Sequence, residues 1–382
     1  MLKTADAVVI GAGVSGAAIA YNLGKQGMKR VVLCEKDTFC NGSTGRCGAG
    51  VREQWGQEGN CRLAQASIDI FEHLQGELQY GYDIEFKQKG YLMLAHTERE
   101  WSQFPKNVRL QNSLGIPSKL LTPEEARQVV PSLCTEGMFG ATYNRRDGHA
   151  NPFHTTRAYL TAAERLGADV NYFTEVTGID IAGGKVRRVT TSNGDIDTPI
   201  VINAAGPWAG QVGAMAGVNL PLYTQRHQIL VTEPVGWLLD PMVMSFSIGI
   251  YCQQTPHGSL VMGIGDPKEP KGYDTGHSWE FLHEMASIIT RLLPVLGEVR
   301  VVRQWSGLYT MSPDAHPILG DVPGLDGYYQ AVGFSGHGFM LGPIVGQLIA
   351  ELATGKPTSM DISRLDLGRF ERGELMVEPS VV

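Results

Sequence analysis

The first apolar run in the chain, Ala7-Val8-Val9-Ile10, is short and unbroken, the form of a parallel strand buried on both faces. Gly11-Ala12-Gly13-Val14-Ser15-Gly16 follows at once. Small or apolar residues then recur at helical spacing through Ala17, Ala18, Ala20, Leu23 and Gly24. A second run, Val31–Cys34, ends at Glu35. Far downstream, Val201-Ile202-Asn203-Ala204-Ala205-Gly206 predicts another apolar strand ending in small residues, and Gln330–Phe334 a last one. The longest apolar stretch, 338–355, is interrupted by Gln347 and Glu351 and falls short of the about 20 clean residues that a membrane span needs. It predicts a buried helix, Phe339–Thr354.

Between these pieces the pattern changes. Tyr91–Ala95, Leu120–Leu121 and Ala141–Tyr143 have strand composition, and Val170–Ile181 and Val186–Thr191 read as strands flanking the Gly183-Gly184 turn. His227–Thr232 and Ile248–Tyr251 alternate in the manner of an antiparallel sheet. Thr122, Pro123 and Glu125 form the start signal of a helix, with Glu125 in the capping-box position. Residues 154–166 predict a further helix. A chain of 382 residues exceeds one ordinary domain, and this alternation predicts two interleaved ones.

Composition narrows the function. The net charge of −7 argues against a broad phosphate-binding face of the kind nucleic-acid binders carry. Glycine, 47 of 382 residues, is well above the usual share of about 7%, while the 20 prolines are ordinary. That excess suggests backbone approaching a ligand closely rather than linker. Cys34, Cys40, Cys47, Cys61, Cys134 and Cys252 form no CxxC pair and lie near no histidine cluster, so neither a disulfide framework nor a metal site is expected. A strand within about six residues of the initiator leaves no signal-peptide pattern, and a cytoplasmic location is expected.

The glycine turn carries the chemistry. Gly11 makes the tight turn, Gly13 lets backbone meet a pyrophosphate, and Gly16 lets helix and sheet pack closely. Val14 and Ser15 open a helix whose N-terminal N–H groups favour an anion. Glu35 stands 19 residues beyond Gly16, where a carboxylate accepts hydrogen bonds from a ribose diol. The turn alone does not choose NAD or FAD. The next segment, Cys40 to Gly50, is dense in small residues, and a helical pattern containing Arg52 follows it. A small-residue loop so soon after the ribose carboxylate suggests an extended dinucleotide running along the domain.

With GAGVSG (11–16), Glu35, GSTGRCG (42–48), NAAGPW (203–208) and GFSGHGF (333–339) all in place, the chain resembles the D-amino-acid-oxidase-type flavoproteins over nearly its whole length. STGRCGAGVREQW (43–55) resembles the β subunits of dye-linked L-proline dehydrogenase and of heterotetrameric sarcosine oxidase. The resemblance implies an α/β fold with an α+β second domain. A Rossmann-like FAD-binding domain (1–85, 151–215 and 306–382) would interleave with an antiparallel-sheet substrate domain (86–150 and 216–305). It implies FAD held by the glycine turn, Glu35 and Lys36, and by Ser43, Thr44, Arg46, Cys47 and Gly48. Val176, Ala205, Gly206 and Trp208 would join them, as would Gly307 and Gly333. Ser335, Gly336, His337, Gly338, Phe339 and Met340 complete the set, their helix N-terminus facing the flavin's pyrimidine end.

The same resemblance assigns a substrate-carboxylate role to Arg52, whose planar fork suits a bidentate partner. Tyr251 would line the pocket, and His337 would sit in the cofactor loop. The chain also departs from the monomeric sarcosine oxidases. Met340 stands where they carry a carboxylate-binding lysine, Gly307 where they attach flavin through cysteine, and Gly45 where they have an active-site histidine. Non-covalent FAD is therefore expected. In sarcosine oxidase β subunits a second flavin, FMN, is attached to a histidine after an RxGG-like turn. The comparable stretch here is RRDGHANPFH (145–154), Pro152 stands at the expected position, and His149 and His154 flank it. A non-covalent FMN at a subunit interface stays open. The expectation is oxidation of a small secondary amino acid, with proline leading and sarcosine, hydroxyproline and opines as alternatives. A different α-type subunit and a quinone- or dye-like acceptor would take the electrons. The rival readings are a self-sufficient oxidase making peroxide, a NAD(P)-linked dehydrogenase, and a flavin-binding structural subunit.

Overall fold

The computed structural model describes residues 2–266 and 268–379. The chain begins with β1 (Ala7–Ile10), α1 (Val14–Lys25), β2 (Val31–Cys34) and a two-residue strand β3 (Gly50–Val51). Next come α2 (Glu58–Glu77), β4 (Tyr91–Ala95), α3 (Glu98–Ser113), β5 (Lys119–Leu121), α4 (Pro123–Val129), β6 (Gly140–Asn144) and β7 (Gly148–His149). The middle runs through α5 (Pro152–Arg165), β8 (Asp169–Asn171), β9 (Val176–Ala182), β10 (Lys185–Thr191), β11 (Gly194–Asp197), β12 (Val201–Asn203) and α6 (Ala209–Met215). The last third holds β13 (Tyr223–Thr232), β14 (Met242–Ser245), β15 (Ile250–Gln254), β16 (Leu260–Ile264) and α7 (Trp279–Leu292). It ends with β17 (Val301–Met311), β18 (Ile318–Val322), β19 (Leu325–Val332) and α8 (Gly338–Ala353).

Two sheets organise these elements. The first has a parallel heart, β8-β2-β1-β12-β19, with the hairpin strands β9, β10, β11 and β18 attached at one side. Its inner strands are buried at every position, as an apolar run covered by helices on both faces must be. The second sheet runs β17-β13-β16-β15-β14-β4-β6-β5. It is antiparallel except where β14 lies parallel to β4, so it is mixed rather than purely antiparallel. Strands of the first sheet come from 7–34, 169–203 and 318–332, and those of the second from 91–144, 223–264 and 301–311. The expected division at 305/306 falls inside β17.

Three local expectations are corrected. Arg52 is not helical: it follows β3, which pairs with β7, and α2 starts six residues later. The reason is that residues 52–55 spend their hydrogen bonds on remote groups rather than on a helical ladder, as described below. The run 170–181 is not one strand. It breaks after Asn171, where Phe173 adopts a positive φ of 50° and Thr174 N–H donates to the Glu35 carbonyl. Ile248 and Gly249 belong to a turn, Gly249 having φ +74°, and the strand begins at Ile250. The helix starts fared better. Thr122 and Glu125 form the reciprocal capping box, and α8 is apolar and almost wholly buried.

The C-terminal segment is fastened by a buried ion pair. Arg369 Nε and Nη2 donate to the two Asp314 oxygens at 2.9 and 3.0 Å, and both side chains are about 1% exposed. Breaking such a pair leaves an uncompensated buried charge. Asp314→Ala is expected to lower the unfolding free energy by about 3–5 kcal/mol, read by urea denaturation. A loss under about 1 kcal/mol would show that the pair is not a structural clasp.

Candidate active site

An elongated cavity runs from Glu35 and Lys36, past Gly11, Gly13 and Ser15, to Gly307, Tyr309 and Phe339. Glycine backbone makes its middle. Gly11 has φ +107°, and a Cβ there would lie 2.5 Å from the Ala204 carbonyl oxygen. A Cβ on Gly16 would lie 1.9 Å from the Gly11 carbonyl oxygen, so α1 can settle onto β1 and β12 only with glycine at both positions. Gly13 is the N-cap of α1 and brings no side chain to that helix, although Thr44 Oγ1 from the following loop accepts the Val14 N–H of its first turn (3.2 Å). The positive pole of α1 opens beside the cavity. Glu35 at the end of β2 is already engaged, accepting from Ala12 N–H (2.8 Å) and Asp37 N–H (2.9 Å). A carboxylate has about four acceptor sites, so each oxygen retains capacity for a ribose hydroxyl.

The small-residue loop after β2 is tied across the cavity to β17. Ser43 Oγ donates to the Leu308 carbonyl (2.6 Å), Arg46 Nη1 to the Ser306 carbonyl (3.1 Å), and Trp305 Nε1 to the Arg46 carbonyl (3.1 Å). Gly45 has no room for a side chain, since its Cβ would lie 2.2 Å from the Cys40 carbonyl oxygen. A histidine at that position is excluded by backbone contact. At the other side, β19 delivers the chain to α8, whose N-cap His337 makes no side-chain cap, so a second helix pole lies at this end.

Most of the expected cofactor residues line this cavity, among them Val14, Lys36, Ser43, Thr44, Arg46 and Cys47. So do Val176, Ala205, Gly206, Trp208, Gly307 and Gly333, and Ser335, Gly336, Gly338 and Phe339. Four expected residues are not on its wall. Gly16 packs helix against strand, Gly48 makes room for the Tyr251 ring, and the Met340 carbonyl accepts the Ser67 hydroxyl inside the core. His337 turns away to a second, smaller cavity with His316, Asn60, Trp55 and Glu378, its ring edge-on to Trp55 at 4.6 Å.

The three catalytic candidates part company. Tyr251 lies on the main cavity wall. Arg52 is buried, 2% exposed, with its guanidinium 3.8 Å from the Trp55 ring centre and Nη1 donating to the Gln54 carbonyl. It does not touch the main cavity. The Tyr91 phenol links the two, being within electrostatic reach of Arg52, Tyr251 and Tyr309. Sequence reading missed His227 and Tyr309. The His227 ring is stacked between Tyr251 (5.7 Å, 14°) and Tyr309 (4.5 Å, 8°), on the cavity wall, and its Nε2 has no protein partner. The signal was present, since His227 opened the very run read as a strand, but the alternation gave its backbone and not its face. Of the histidines near Pro152, His149 is buried in β7, whereas His154 stands on the first turn of α5 against the exposed ring of Tyr82.

The cavity continues from the glycine turn past Ser43 and Arg46 to Gly307 and Tyr309, beyond the α1 terminus where a pyrophosphate would sit. That defines the class: an enzyme built around an extended dinucleotide. A family model described as FAD dependent oxidoreductase matches residues 6–352, and the chain belongs to that family. It is a flavoprotein oxidoreductase. The chain is similar to the sarcosine oxidase subunit beta of Rhodobacter capsulatus (31% identity, covering 98% of this chain and 91% of that one). Among solved structures it is similar to L-proline dehydrogenase from P. horikoshii (TM-score 0.93, 39% identity, 98% of this chain and 100% of that one). It is also similar to glycine oxidase from Geobacillus kaustophilus (TM-score 0.89, 28% identity, 96% and 99%). The residues present fit FAD. The N-termini of α1 and α8 suit its pyrophosphate and the electron-rich end of its ring, and Glu35 keeps acceptor capacity for its ribose.

Burial sets the protonation of the site. It pushes His149 and His227 down to about 4, and His337 to about 3 with help from the charge of Arg52 and from His316. Each is neutral when folded and gains its proton on unfolding once the pH is below its ordinary value of 6.5. Their contribution to stability is therefore complete above about pH 6.5 and lost as the pH falls through about 4. Asp147 runs the other way. Burial, helped by the Glu53 charge, lifts it to about 8, so its contribution is complete below 3.8 and lost as the pH rises through about 8. The melting temperature should climb from pH 4 to 6.5, and His149→Gln should remove part of that climb. An unchanged slope in the variant would contradict the assignment.

Proposed function

We propose that this chain oxidises the C–N bond of a small secondary amino acid to the imine, with L-proline the leading candidate, as the catalytic β-type subunit of a hetero-oligomer. Sarcosine, hydroxyproline and opines are the alternative substrates. The observation that carries the reading is Arg52. A buried guanidinium normally has an acidic partner, and among the described residues no carboxylate lies within ion-pair distance of it. A substrate carboxylate arriving beside Tyr91 and Tyr251 would supply one. The likeness to L-proline dehydrogenase and to a sarcosine oxidase β subunit supports the same substrate class.

In this reading the interleaved domains have separate tasks. The parallel-sheet domain holds the dinucleotide, with Glu35 at the ribose, the α1 terminus at the pyrophosphate, and Ser43 to Cys47 along the ring. Bound FAD supplies the acceptor for a hydride from the substrate carbon. The substrate domain contributes β13, β15 and β17, which carry His227, Tyr251 and Tyr309. His227, kept neutral by burial, backs the wall between Tyr251 and Tyr309 without adding positive charge there, which favours the unprotonated amine. Its flanking rings exclude water and hold the imidazole plane. His337 is assigned a supporting role behind Trp55 rather than a place at the reacting atoms.

Arg52→Lys keeps the charge and loses the fork, so the KM for the amino acid should rise about 10- to 150-fold with FAD still bound. Unchanged kinetics would remove Arg52 from the site. Gly307 leaves no thiol for attachment from β17, so acid precipitation should release all FAD to the supernatant. Yellow pellet would contradict a non-covalent site.

The electrons are assigned to a different α-type subunit and a quinone- or dye-like acceptor. The isolated chain should reduce a dye readily and make little peroxide, whereas one peroxide per turnover at full rate would identify a self-sufficient oxidase. A non-covalent FMN at the subunit interface is a separate part of the reading. Its support is the ring cluster of half-buried Tyr80 and His154 with the exposed Tyr82, beside the start of α5. FMN alongside FAD in the flavin extracted from the native assembly would support it, and FAD alone would overturn it.

A further inference from the structure

The turn that carries Arg52 is held from three directions. From one side, Asp147 accepts from Glu53 N–H (2.8 Å) and from Gln54 Nε2 (2.7 Å). From α3, Gln111 Nε2 donates to the Trp55 carbonyl (2.8 Å). Trp55 in turn donates from Nε1 to the Arg52 carbonyl (3.3 Å) while its ring lies under the guanidinium. The third hold comes from the end of the chain. Glu378 Oε1 accepts from Gly56 N–H (2.7 Å), and Oε2 from Asn60 Nδ2 (2.6 Å). The fit is close: a Cβ on Gly56 would lie 2.8 Å from Glu378 Oε1 and 2.9 Å from Pro379 Cγ.

Residues 374–378 have no regular secondary structure, and Leu375 and Val377 are largely exposed, so this segment is a strap laid on the surface. It is nevertheless fixed at both ends. Met376 N–H points at the Asp314 carboxylate of the buried Arg369 clasp, and Gln57 Nε2 donates to the Val377 carbonyl. Glu378 itself is only 9% exposed, and it closes the small cavity shared by Trp55, Asn60, His316 and His337. Its negative charge is one of those acting on Arg52. A carboxylate placed there does two things. It keeps the Arg52–Trp55 turn from relaxing outward, and it offsets part of the cost of the buried cation.

We propose that Glu378 is a positioning residue for Arg52, and that the C-terminal strap thereby sets the enzyme's preference for amines that bear a carboxylate over amines that do not. This rests on the reading of Arg52 as the carboxylate clamp. Loss of the strap's hold should weaken the grip on the carboxylate, leaving the cofactor cavity and the ring wall of His227 untouched.

The test compares wild type, Glu378→Gln, Glu378→Ala and Arg52→Lys in the assembled enzyme. Each is reduced anaerobically with L-proline and with pyrrolidine, and with sarcosine and with dimethylamine. For Glu378→Ala the KM for the amino acids should rise about 5- to 30-fold. Its kcat should stay within about twofold, and its kinetics with the two plain amines should be unchanged. Glu378→Gln, which keeps one acceptor for Gly56, should fall between. FAD content should match wild type. Equal losses on acids and plain amines, loss of FAD, or unchanged amino-acid kinetics would overturn the proposal while leaving Arg52→Lys free to show its own effect. If Arg52→Lys also discriminates nothing, or the wild type reduces with neither amino acid, the clamp reading fails and this inference falls with it.

Discussion

The structure depends on how closely one helix can approach one sheet. Gly11 and Gly16 bring α1 against the ends of β1 and β12 at distances that any Cβ would forbid. Three consequences follow from that single approach. The open N-terminus of α1 is delivered to the cavity, the Ala12 N–H is placed for Glu35, and the chain leaving β12 reaches the wall at Ala205 to Trp208. The same logic is repeated where α8 crosses α1. A Cβ on Gly346 would lie 2.4 Å from the Ala18 Cβ, and one on Gly342 would lie 2.9 Å from the Val14 methyls. Glycine here serves contact rather than flexibility, and it is why two helix poles converge on one cavity.

Around that cavity the second sheet builds a surface of opposite character. The parallel sheet offers backbone N–H groups and small residues, while β13, β15 and β17 offer rings. The His227 imidazole between two tyrosines is kept uncharged by its surroundings, and Arg52, the nearby cation, is kept charged by being an arginine. The neutral imidazole lies on the cavity wall, and the buried cation lies outside that wall, with the Tyr91 phenol within electrostatic reach of it. The proposed choice of an amino acid over a plain amine rests on Arg52 finding its carboxylate partner in the substrate.

Much of this was legible in the chain itself, for physical reasons that differ by region. Residues 7–35 are readable because nearly every demand is local: a buried strand, a positive-φ glycine, a helix opened by glycine and a carboxylate follow one another directly. The α4 capping box and α8 were readable for the same reason. What failed depends on remote partners. Arg52 sits in a run that looks helical, but Asp147, Gln111 and Glu378, each far away in sequence, take the hydrogen bonds a helix would use. Residues 170–181 look like one strand, yet Thr174 is drawn to the Glu35 carbonyl and splits the run between two parts of the sheet. His227 was invisible as a site residue because alternation specifies that a side chain faces one side, not that two tyrosines from neighbouring strands stand beside it.

The central claim is that this cavity holds FAD and that the chain itself removes hydride from a small secondary amino acid. The most direct measurement is an anaerobic titration of the purified yellow protein with L-proline, hydroxyproline, sarcosine, opines and D-amino acids, following loss of flavin absorbance. Rapid, stoichiometric bleaching by one of the secondary amino acids, with L-proline fastest, is the expected result. A flavin that stays oxidised with every compound, or bleaching only by a nicotinamide dinucleotide, would contradict the account.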